Sequence, residues 1–159
     1  MTHKLAISTV SLGWHSSYTL ELKLKAAKEA GFQGIELFIT DRDSFAASHR
    51  VPRLLAAREI KKLCVEADLE ILCLAPFDNF EGEPSSLESR LEAAAEWIEL
   101  AHELGTNIIQ VPSNDTKDAV GLETVVVSEL QALSDAGLKQ QPPISFAYEA
   151  PGWGTHVAD

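Results

Sequence analysis

A short β-type run, a loop and an amphipathic helix recur along the chain, and this recurrence limits the folds that the chain can adopt. Five β-type runs begin near residues 5, 34, 70, 107 and 144, at spacings of 29, 36, 37 and 37 residues. Two parallel strands need a crossover connection between them, and a helix of a dozen or more residues usually provides it. The pattern therefore predicts an α/β fold whose strands lie parallel to one another.

Apolar periodicity and helix-ending glycines give the bounds of the predicted elements. The strands are predicted at Leu5–Val10, Gly34–Ile39, Glu70–Leu74, Asn107–Val111 and Ile144–Glu149, and the helices at Thr19–Ala30, Val51–Ala67, Ser85 or Ser86 to Leu104, and Leu122–Ala136. The last helix is expected to end at Gly137. Residues 41–44 are expected to form a polar loop, and residues 76–84 a loop with two exposed aromatic side chains, Phe77 and Phe80.

Two architectures accommodate such βα units, a (β/α) barrel and an open flavodoxin-like sheet of five strands. An open sheet of this kind binds its ligand at a glycine-rich loop after the first strand. Here that loop reads Ser-Leu-Gly-Trp at residues 11–14, which makes it a poor phosphate loop. A complete barrel takes about 250 residues, whereas this chain has 159. We therefore predict that residues 1–159 form a single N-terminal part of a TIM barrel, with about four and a half βα units.

Composition argues against several classes of function. Thirteen Lys and Arg residues against 24 Asp and Glu residues give a net charge of −11, which repels nucleic acid and anionic lipid. No apolar run approaches the roughly 18 residues of a membrane-spanning helix, and the N-terminus lacks the apolar stretch of a signal peptide. We expect a cytoplasmic protein that binds a small molecule, not nucleic acid or a membrane. Cys64 and Cys73 form no Cys-x-x-Cys pair and are expected to be buried thiols.

Candidate site residues are found where the predicted strands end, because barrel active sites lie at the carboxyl ends of the strands. Glu36 and Glu149 stand in otherwise apolar strand segments, and a buried carboxylate needs a cation, hydrogen bonds or a raised pKa. A divalent metal would satisfy Glu149, the alternative being an ion pair at a strand end. Glu36 is predicted to bind substrate, the alternative being a structural carboxylate. The other predicted substrate contacts are His15, which could instead be a solvated loop histidine, Phe77, Gln110 and Trp153.

Several sequence strings also carry a family resemblance. Ala-Gly-Phe-Gln-Gly-Ile-Glu-Leu-Phe at residues 30–38 resembles the strand-two signature of the xylose isomerase-like TIM barrel superfamily. Strings at residues 4–7, 11–13, 73–77, 97–104, 108–112 and 148–150 resemble the fungal 3-dehydroshikimate dehydratases of that superfamily. The helix string at 97–104 and the Tyr-Glu-Ala string at 148–150 discriminate best. The resemblance runs in order over essentially the whole chain.

The resemblance implies a lyase that removes water from 3-dehydroshikimate to give protocatechuate in quinate catabolism. It implies an enolate held by Mg²⁺, Mn²⁺ or Co²⁺, with Glu149 as the first of four metal ligands and Gln110 at a substrate-contacting position. Two residues depart from the family pattern: Ala75 stands where glutamine is usual, and Pro151 stands where some bacterial relatives have the catalytic histidine. The other ligands and the catalytic base are expected beyond Asp159. No catalytic base is therefore assigned within the chain, which is expected to be inactive alone as a truncated product.

Two rival functions stay open. A sugar-phosphate or hydroxypyruvate-type isomerase or epimerase would use the same barrel and a similar metal-held intermediate. A non-catalytic half-barrel could instead self-associate through the open edges of the first and fifth strands, since unpaired strand edges favour association. An endonuclease of the same fold is disfavoured because the composition is acidic.

Overall fold

The structure is a computed structural model and describes residues 3–158. The described strands are β1 (Ala6–Ser8), β2 (Gly34–Phe38), β3 (Glu70–Ala75), β4 (Ile108–Pro112) and β5 (Ser145–Glu149). The helices are α1 (Leu20–Glu29), α2 (Ile39–His49), α3 (Arg53–Glu66), α4 (Leu87–Leu104) and α5 (Glu123–Leu138), with a short 3₁₀ helix at Thr9–Leu12. These residues divide into two compact units: the first holds the chain up to Ala75 together with Leu100–Thr106, and the second holds Pro76–Glu99 and the chain from Asn107 onward.

The first unit contains strands β1, β2 and β3, paired in parallel in that order. Side chains alternate across β2: Ile35 and Leu37 are fully buried, whereas Glu36 is half-buried on the opposite face. The register sets Glu36 beside Ser8 of β1 and Cys73 of β3. One face of this sheet is therefore apolar and closed, and the other carries the candidate carboxylate.

In the second unit, β4 and β5 form a parallel pair. Ile109 and Val111 of β4 are fully buried, and Gln110 between them is half-buried on the other face. The register pairs Gln110 with Ala147 and Pro112 with Glu149. Because alternate residues of a strand share a face, Gln110 and Glu149 project to the same side of the pair.

The parallel α/β prediction is confirmed, and most predicted elements match to within a few residues. The loop expected at residues 41–44 is wrong, because helix α2 begins directly after β2 and includes them. Residues 39–49 contain no glycine or proline, and Asp41 lies in the first turn, where a negative charge is favourable. Phe45 and Ala46 bury one face of this helix. Most of residues 39–49 are polar, so a pattern of apolar residues does not reveal this helix in the sequence.

Three smaller expectations also need correction. Phe77 and Phe80, expected to be exposed, are buried, with exposed fractions of 8% and 1%. The first strand ends at Ser8, since Thr9 begins the 3₁₀ helix. Gly137 lies inside α5, where a Cβ atom would collide with the carbonyl oxygen of Ile144. This glycine therefore permits a close approach of two backbone segments, and the helix continues to Leu138, two residues beyond the predicted Ala136.

The expectations about membrane-spanning helices and about the two cysteines can be compared with the described residues. Within residues 3–158, no helix has both the length and the apolar character needed to cross a bilayer. Cys64 and Cys73 are both buried, as predicted, and neither forms a disulfide. That residues 1–159 are one part of a single barrel domain stays a prediction.

Candidate active site

Gln110 and Glu149, two of the predicted site residues, are joined by a hydrogen bond between the middle of β4 and the end of β5. The Nε2 atom of Gln110 donates to Oε2 of Glu149. The strand register makes this contact possible, because the two side chains share a face and lie one pleat apart. The structure therefore brings the predicted metal ligand and the predicted strand-four substrate contact into one cluster.

The carbonyl oxygen of the Gln110 side chain, Oε1, is buried and has no hydrogen-bond partner among the described residues. A buried acceptor without a partner costs about 1–3 kcal/mol, so this oxygen is suited to a ligand that supplies a donor or a positive charge. Carboxylate and amide oxygens are the donors that hard divalent cations prefer. The Gln110–Glu149 pair thus fits part of the coordination or substrate sphere of such a cation.

The described residues do not complete a metal site. Within residues 3–158, no group of three or more His, Cys, Asp or Glu side chains is placed to hold a metal ion. One carboxylate is too few for tight binding of Mg²⁺ or Mn²⁺, which take six ligands and hold several waters. Glu149 therefore belongs to no complete metal site among the described residues.

The backbone around Glu149 is fixed by the residue that follows β4. Proline has no amide hydrogen to donate, and Pro112 is the residue that pairs with Glu149. The next amide takes this role: the nitrogen of Ser113 donates to the carbonyl oxygen of Glu149 at 2.8 Å. Ser113 Oγ also donates to the carbonyl oxygen of Val157 at 2.6 Å. Ser113 thus ties the end of β5 and the following loop to β4.

Phe77 is buried and is bonded through its backbone to Gln110. Its amide nitrogen donates to the carbonyl oxygen of Gln110 at 2.8 Å. Its ring centroid lies 5.1 Å from that of Trp97 and 5.9 Å from that of Phe80. Aromatic groupings of this kind contribute through buried area and ring contacts. Phe77 therefore supports the strand carrying Gln110, and its contact with substrate stays a prediction.

Glu81 is a buried carboxylate of the second unit that was not among the residues predicted from the sequence. Glu81 is 3% exposed, and its Oε1 accepts hydrogen bonds from the amide nitrogen of Asn114 at 2.6 Å and from the hydroxyl of Tyr148 at 2.9 Å. Burial, together with the bond to Glu81, raises the pKa of Tyr148. A buried carboxylate in a loop has no periodic sequence signal; the one local cue is Gly82, whose φ of 68° favours glycine.

A buried ion pair lies beside Glu81. Arg90 of α4 contacts Glu129 of α5 through two hydrogen bonds, of 2.6 and 2.8 Å, and also donates to the carbonyl oxygen of Phe80. The amide nitrogen of Gly82 donates to Oε2 of Glu129 at 2.7 Å. The guanidinium of Arg90 holds the pKa of Glu129 below its usual range. This pair, which no spacing rule predicts, anchors the loop on both sides of Glu81.

Trp153 follows β5 and is 74% exposed. Its loop is attached at other points: the nitrogen of Thr155 donates to the carbonyl oxygen of Asn114 at 2.9 Å, and Nε2 of His156 lies 2.7 Å from the carbonyl oxygen of Ala119. An exposed aromatic ring on an anchored loop can cover a bound ligand. The predicted substrate contact of Trp153 stays a prediction.

The first unit holds His15 and Glu36, and it does not bring them into one cavity. His15 is exposed, and its Nδ1 lies 2.9 Å from Oγ of Ser17. It lines a cavity of about 370 Å³ that Glu36 does not line. Glu36 lies beside Ser8, whose buried hydroxyl has no partner among the described residues. Substrate contacts by His15 and Glu36 stay predictions.

The lining of that cavity includes a buried ion pair that was also not predicted from the sequence. Nζ of Lys23 lies 2.7 and 2.9 Å from the two carboxylate oxygens of Asp41. The exposed fractions of these side chains are 5% and 13%. The pair joins α1 to the first turn of α2 and neutralises both charges. It therefore accounts for the polar start of α2 and leaves the cavity without an uncompensated charge from these two groups.

A sequence model of the xylose isomerase-like TIM barrel family matches residues 24–157. The chain belongs to the xylose isomerase-like TIM barrel family. Interior-facing and exterior-facing residues alternate along the strands of such barrels. Half-buried Gln110 and exposed Glu149 project to the face opposite the fully buried Ile109 and Val111.

The chain is similar to curated 3-dehydroshikimate dehydratases from a fungus and from bacteria. It is 41% identical to the Neurospora crassa 3-dehydroshikimate dehydratase over 176 aligned positions, covering 99% of this chain and 48% of that protein. It is 35% identical to the Pseudomonas putida protein of the same name, covering 96% of this chain and 22% of that protein. The predicted resemblance to the fungal dehydratases is confirmed. The chain spans about half the length of the fungal relative and about a fifth of the bacterial one.

Solved structures of the family share the fold. A xylose isomerase-like TIM barrel/4-hydroxyphenylpyruvate dioxygenase fusion protein superposes with a TM-score of 0.81 at 34% identity, covering 98% of this chain and 23% of that one. The IOLI protein, whose structure is described with a bound zinc atom, superposes with a TM-score of 0.71 at 16% identity, covering 92% of this chain and 51% of that one. The first likeness confirms the predicted partial TIM barrel, and the second speaks to fold alone.

Proposed function

We propose that this chain contributes part of a metal-dependent active site of the 3-dehydroshikimate dehydratase type. In this proposal Glu149 is a ligand to Mg²⁺, Mn²⁺ or Co²⁺, and Gln110 holds Glu149 in place and contacts the substrate. The observation that carries the proposal is the hydrogen bond from Gln110 of β4 to Glu149 at the end of β5, in a chain 41% identical to the Neurospora relative. A cytoplasmic location and a role in quinate catabolism belong to the same proposal.

The proposed chemistry assigns a separate task to each atom of the pair. Elimination of water from 3-dehydroshikimate requires removal of a proton beside the ketone and departure of a hydroxyl group. A bound divalent cation supplies Lewis-acid stabilisation of the charge that develops on the ketone oxygen. Oε2 of Glu149 accepts the hydrogen bond from Gln110, and Oε1 would be the oxygen that holds the cation. The unpartnered Oε1 of Gln110 is available to a substrate hydroxyl group.

The remaining ligands and the base that removes the proton are proposed to come from the portion of the relatives that this chain does not match. Within residues 3–158 no cluster of three metal-ligating side chains is formed. Under this proposal the chain has no dehydratase activity alone and acquires it when the complementary portion is supplied. Gln110 and Glu149 would be present in the chain before assembly.

The proposal is tested with a chimaera in which this chain is joined to the part of the Neurospora dehydratase outside the matched region. The chain alone and the chimaera are each mixed with 3-dehydroshikimate and Mn²⁺, and protocatechuate is followed by its ultraviolet absorbance. We expect the chimaera to turn over substrate and the isolated chain not to. Glu149→Gln should lower turnover of the chimaera by more than the roughly 10–100-fold that is typical when an outer-shell partner of a metal ligand is lost. Glu99→Gln, an exposed glutamate of α4, is the matched control and retains activity.

Two results would count against the dehydratase. A folded chimaera that binds Mn²⁺ and interconverts a sugar phosphate or hydroxypyruvate, but forms no protocatechuate, would favour the isomerase on the same barrel. Unchanged metal affinity in Glu149→Gln would remove Glu149 from the ligand set. Turnover by the chain alone at high concentration would instead mean that a second copy supplies the missing groups.

Self-association belongs to the proposal because of one observation on β5. Four of its five residues are exposed, including Tyr148 at 37%, and a strand with an open edge favours pairing with another chain. Sedimentation velocity across a range of concentrations measures this directly. A monomer at all concentrations would exclude association through this strand.

A further inference from the structure

The segment that follows β4 and the end of β5 are both hydrogen-bonded to a single carboxylate, that of Glu81. Its Oε1 accepts from the nitrogen of Asn114, which follows β4, and from the hydroxyl of Tyr148, which precedes Glu149 in β5. The backbone carbonyl of Glu81 accepts a third hydrogen bond, from Nδ2 of Asn114 at 2.9 Å. Glu81 thus bonds to both strand ends between which the Gln110–Glu149 pair lies.

The position of Glu81 is itself fixed from both sides. The preceding residue, Phe80, accepts a hydrogen bond from Arg90, and the following residue, Gly82, donates one to Glu129. Arg90 and Glu129 are a buried pair with exposed side-chain fractions of 9% and 12%. A carboxylate whose neighbours on both sides are held in this way has little freedom to follow movements of β4 or β5. It can impose a position on them instead.

The burial of Glu81 has a cost that hydrogen bonding within the loop does not remove. Its second oxygen, Oε2, is buried and has no partner among the described residues, and an unpaired buried acceptor is destabilising by about 1–3 kcal/mol. The carboxylate is therefore better explained by what its other oxygen holds.

We propose that Glu81 is a positioning residue that sets the place of the Glu149 carboxylate by holding Asn114 and Tyr148. Two routes lead to Glu149: Tyr148 is its covalent neighbour in β5, and the nitrogen of Ser113, which is covalently next to Asn114, donates a hydrogen bond to the Glu149 carbonyl oxygen at 2.8 Å. Outer-shell hydrogen bonds orient metal ligands, and their loss typically costs about 10–100-fold in metal affinity or activity. The inference rests on the proposed function, since it assigns Glu81 a role at the Glu149 site.

The test uses the chimaera and removes one atom at a time. Tyr148→Phe removes only the hydroxyl that Glu81 accepts, whereas Glu81→Gln keeps one acceptor oxygen for both donors. Tyr18→Phe is the matched control, because Tyr18 is the other tyrosine of the chain and is 53% exposed. Mn²⁺ affinity is measured from the electron paramagnetic resonance signal of the free ion, together with kcat and KM. Urea unfolding reports the stability of each variant separately.

We expect Tyr148→Phe to weaken Mn²⁺ binding by about tenfold, at the lower end of the range for outer-shell changes, with Tyr18→Phe unchanged. Glu81→Gln should retain most of the affinity, and Glu81→Ala should lose as much as Tyr148→Phe or more. The double variant Glu81→Ala with Tyr148→Phe should lose no more than Glu81→Ala alone, because both changes break the same bond.

Failure of this inference is distinguishable from failure of the proposed function. If the unsubstituted chimaera binds Mn²⁺ and turns over substrate, but Tyr148→Phe lowers only the urea midpoint, then Glu81 is a structural residue and the inference is wrong. If the unsubstituted chimaera neither binds Mn²⁺ nor turns over substrate, the proposed function is overturned, and with it the role assigned to Glu81.

Discussion

The side-chain amide of Gln110 donates a hydrogen bond to the carboxylate of Glu149, so that two parallel strands end in one connected polar group. The two residues are not direct partners in the register, since Gln110 pairs with Ala147. Their contact depends instead on both side chains projecting to the same face. This geometry orients the carboxylate before any ligand arrives.

Replacement of Gln110 by alanine should therefore reduce metal-dependent turnover of the chimaera by about 10–100-fold, the range found for outer-shell partners of metal ligands. Mn²⁺ affinity should fall along with kcat, because the carboxylate loses its orienting donor. Gln131→Ala on the exposed face of α5 is the control and should leave both unchanged. Equal Mn²⁺ affinity in Gln110→Ala and the unsubstituted chimaera would contradict this role.

The Arg90–Glu129 pair should be among the larger single contributions to the stability of the second unit. Removal of one partner of a buried ion pair leaves an uncompensated charge and typically costs about 3–5 kcal/mol. We expect a loss of this size in Arg90→Met or Glu129→Gln, measured by urea unfolding. A variant with both residues replaced by leucine should lose less than the sum of the single losses, since neither charge then remains buried alone.

The Arg90–Glu129 pair should also make the free energy of unfolding depend on pH in the acidic range. Arg90 lowers the pKa of Glu129 in the folded chain, so the stabilisation is fully present above the unfolded value, about 4.3. It is lost as the pH falls through the lower folded value. The difference in unfolding free energy between the unsubstituted chain and Glu129→Gln should therefore shrink below about pH 4. A difference that stays constant down to pH 2 would show that the ionised carboxylate is not what Arg90 holds.

Tyr148 should make the free energy of unfolding fall as the pH rises in the alkaline range. Burial and the hydrogen bond to Glu81 raise the pKa of Tyr148 in the folded chain. The contribution is therefore fully present below the unfolded pKa of about 10 and is lost as the pH rises above it. Unfolding midpoints measured between pH 8 and 11 should fall more steeply for the unsubstituted chain than for Tyr148→Phe. Parallel curves would contradict the assignment.

The buried thiol of Cys64 should be chemically silent in the folded chain. Burial raises its pKa to about 12, compared with about 8.5 for an exposed thiol, and the reactive thiolate is then scarce at neutral pH. We expect the folded chain to react slowly with a thiol reagent at pH 8. In urea, both cysteine thiols of each chain should react at once. Rapid reaction of a thiol without denaturant would mean that the first unit opens locally.

Features that depend on hydrophobic periodicity, or on position near the end of a strand, could be predicted from the sequence. Gln110 and Glu149 could be found because each interrupts an apolar strand, and the strand order then brought them together. Glu81 could not be found, because its burial depends on donors from Asn114 and Tyr148 that are distant in the chain. Helix α2 was missed because its stability depends partly on the contact of Asp41 with Lys23, which no local pattern contains.

Each described strand pairing joins strands that follow one another in the chain: β1 with β2, β2 with β3, and β4 with β5. The paired residues are 28 to 37 positions apart in the chain, for example Ala6 with Gly34 and Ile108 with Ser145, and parallel pairing across such distances forms slowly. A ribosome releases such strands in the order in which they pair, and each new strand meets an edge that already exists. The fold is thus suited to growth by addition during synthesis, with the edge of the newest strand as the point at which the nascent chain is most open to other partners.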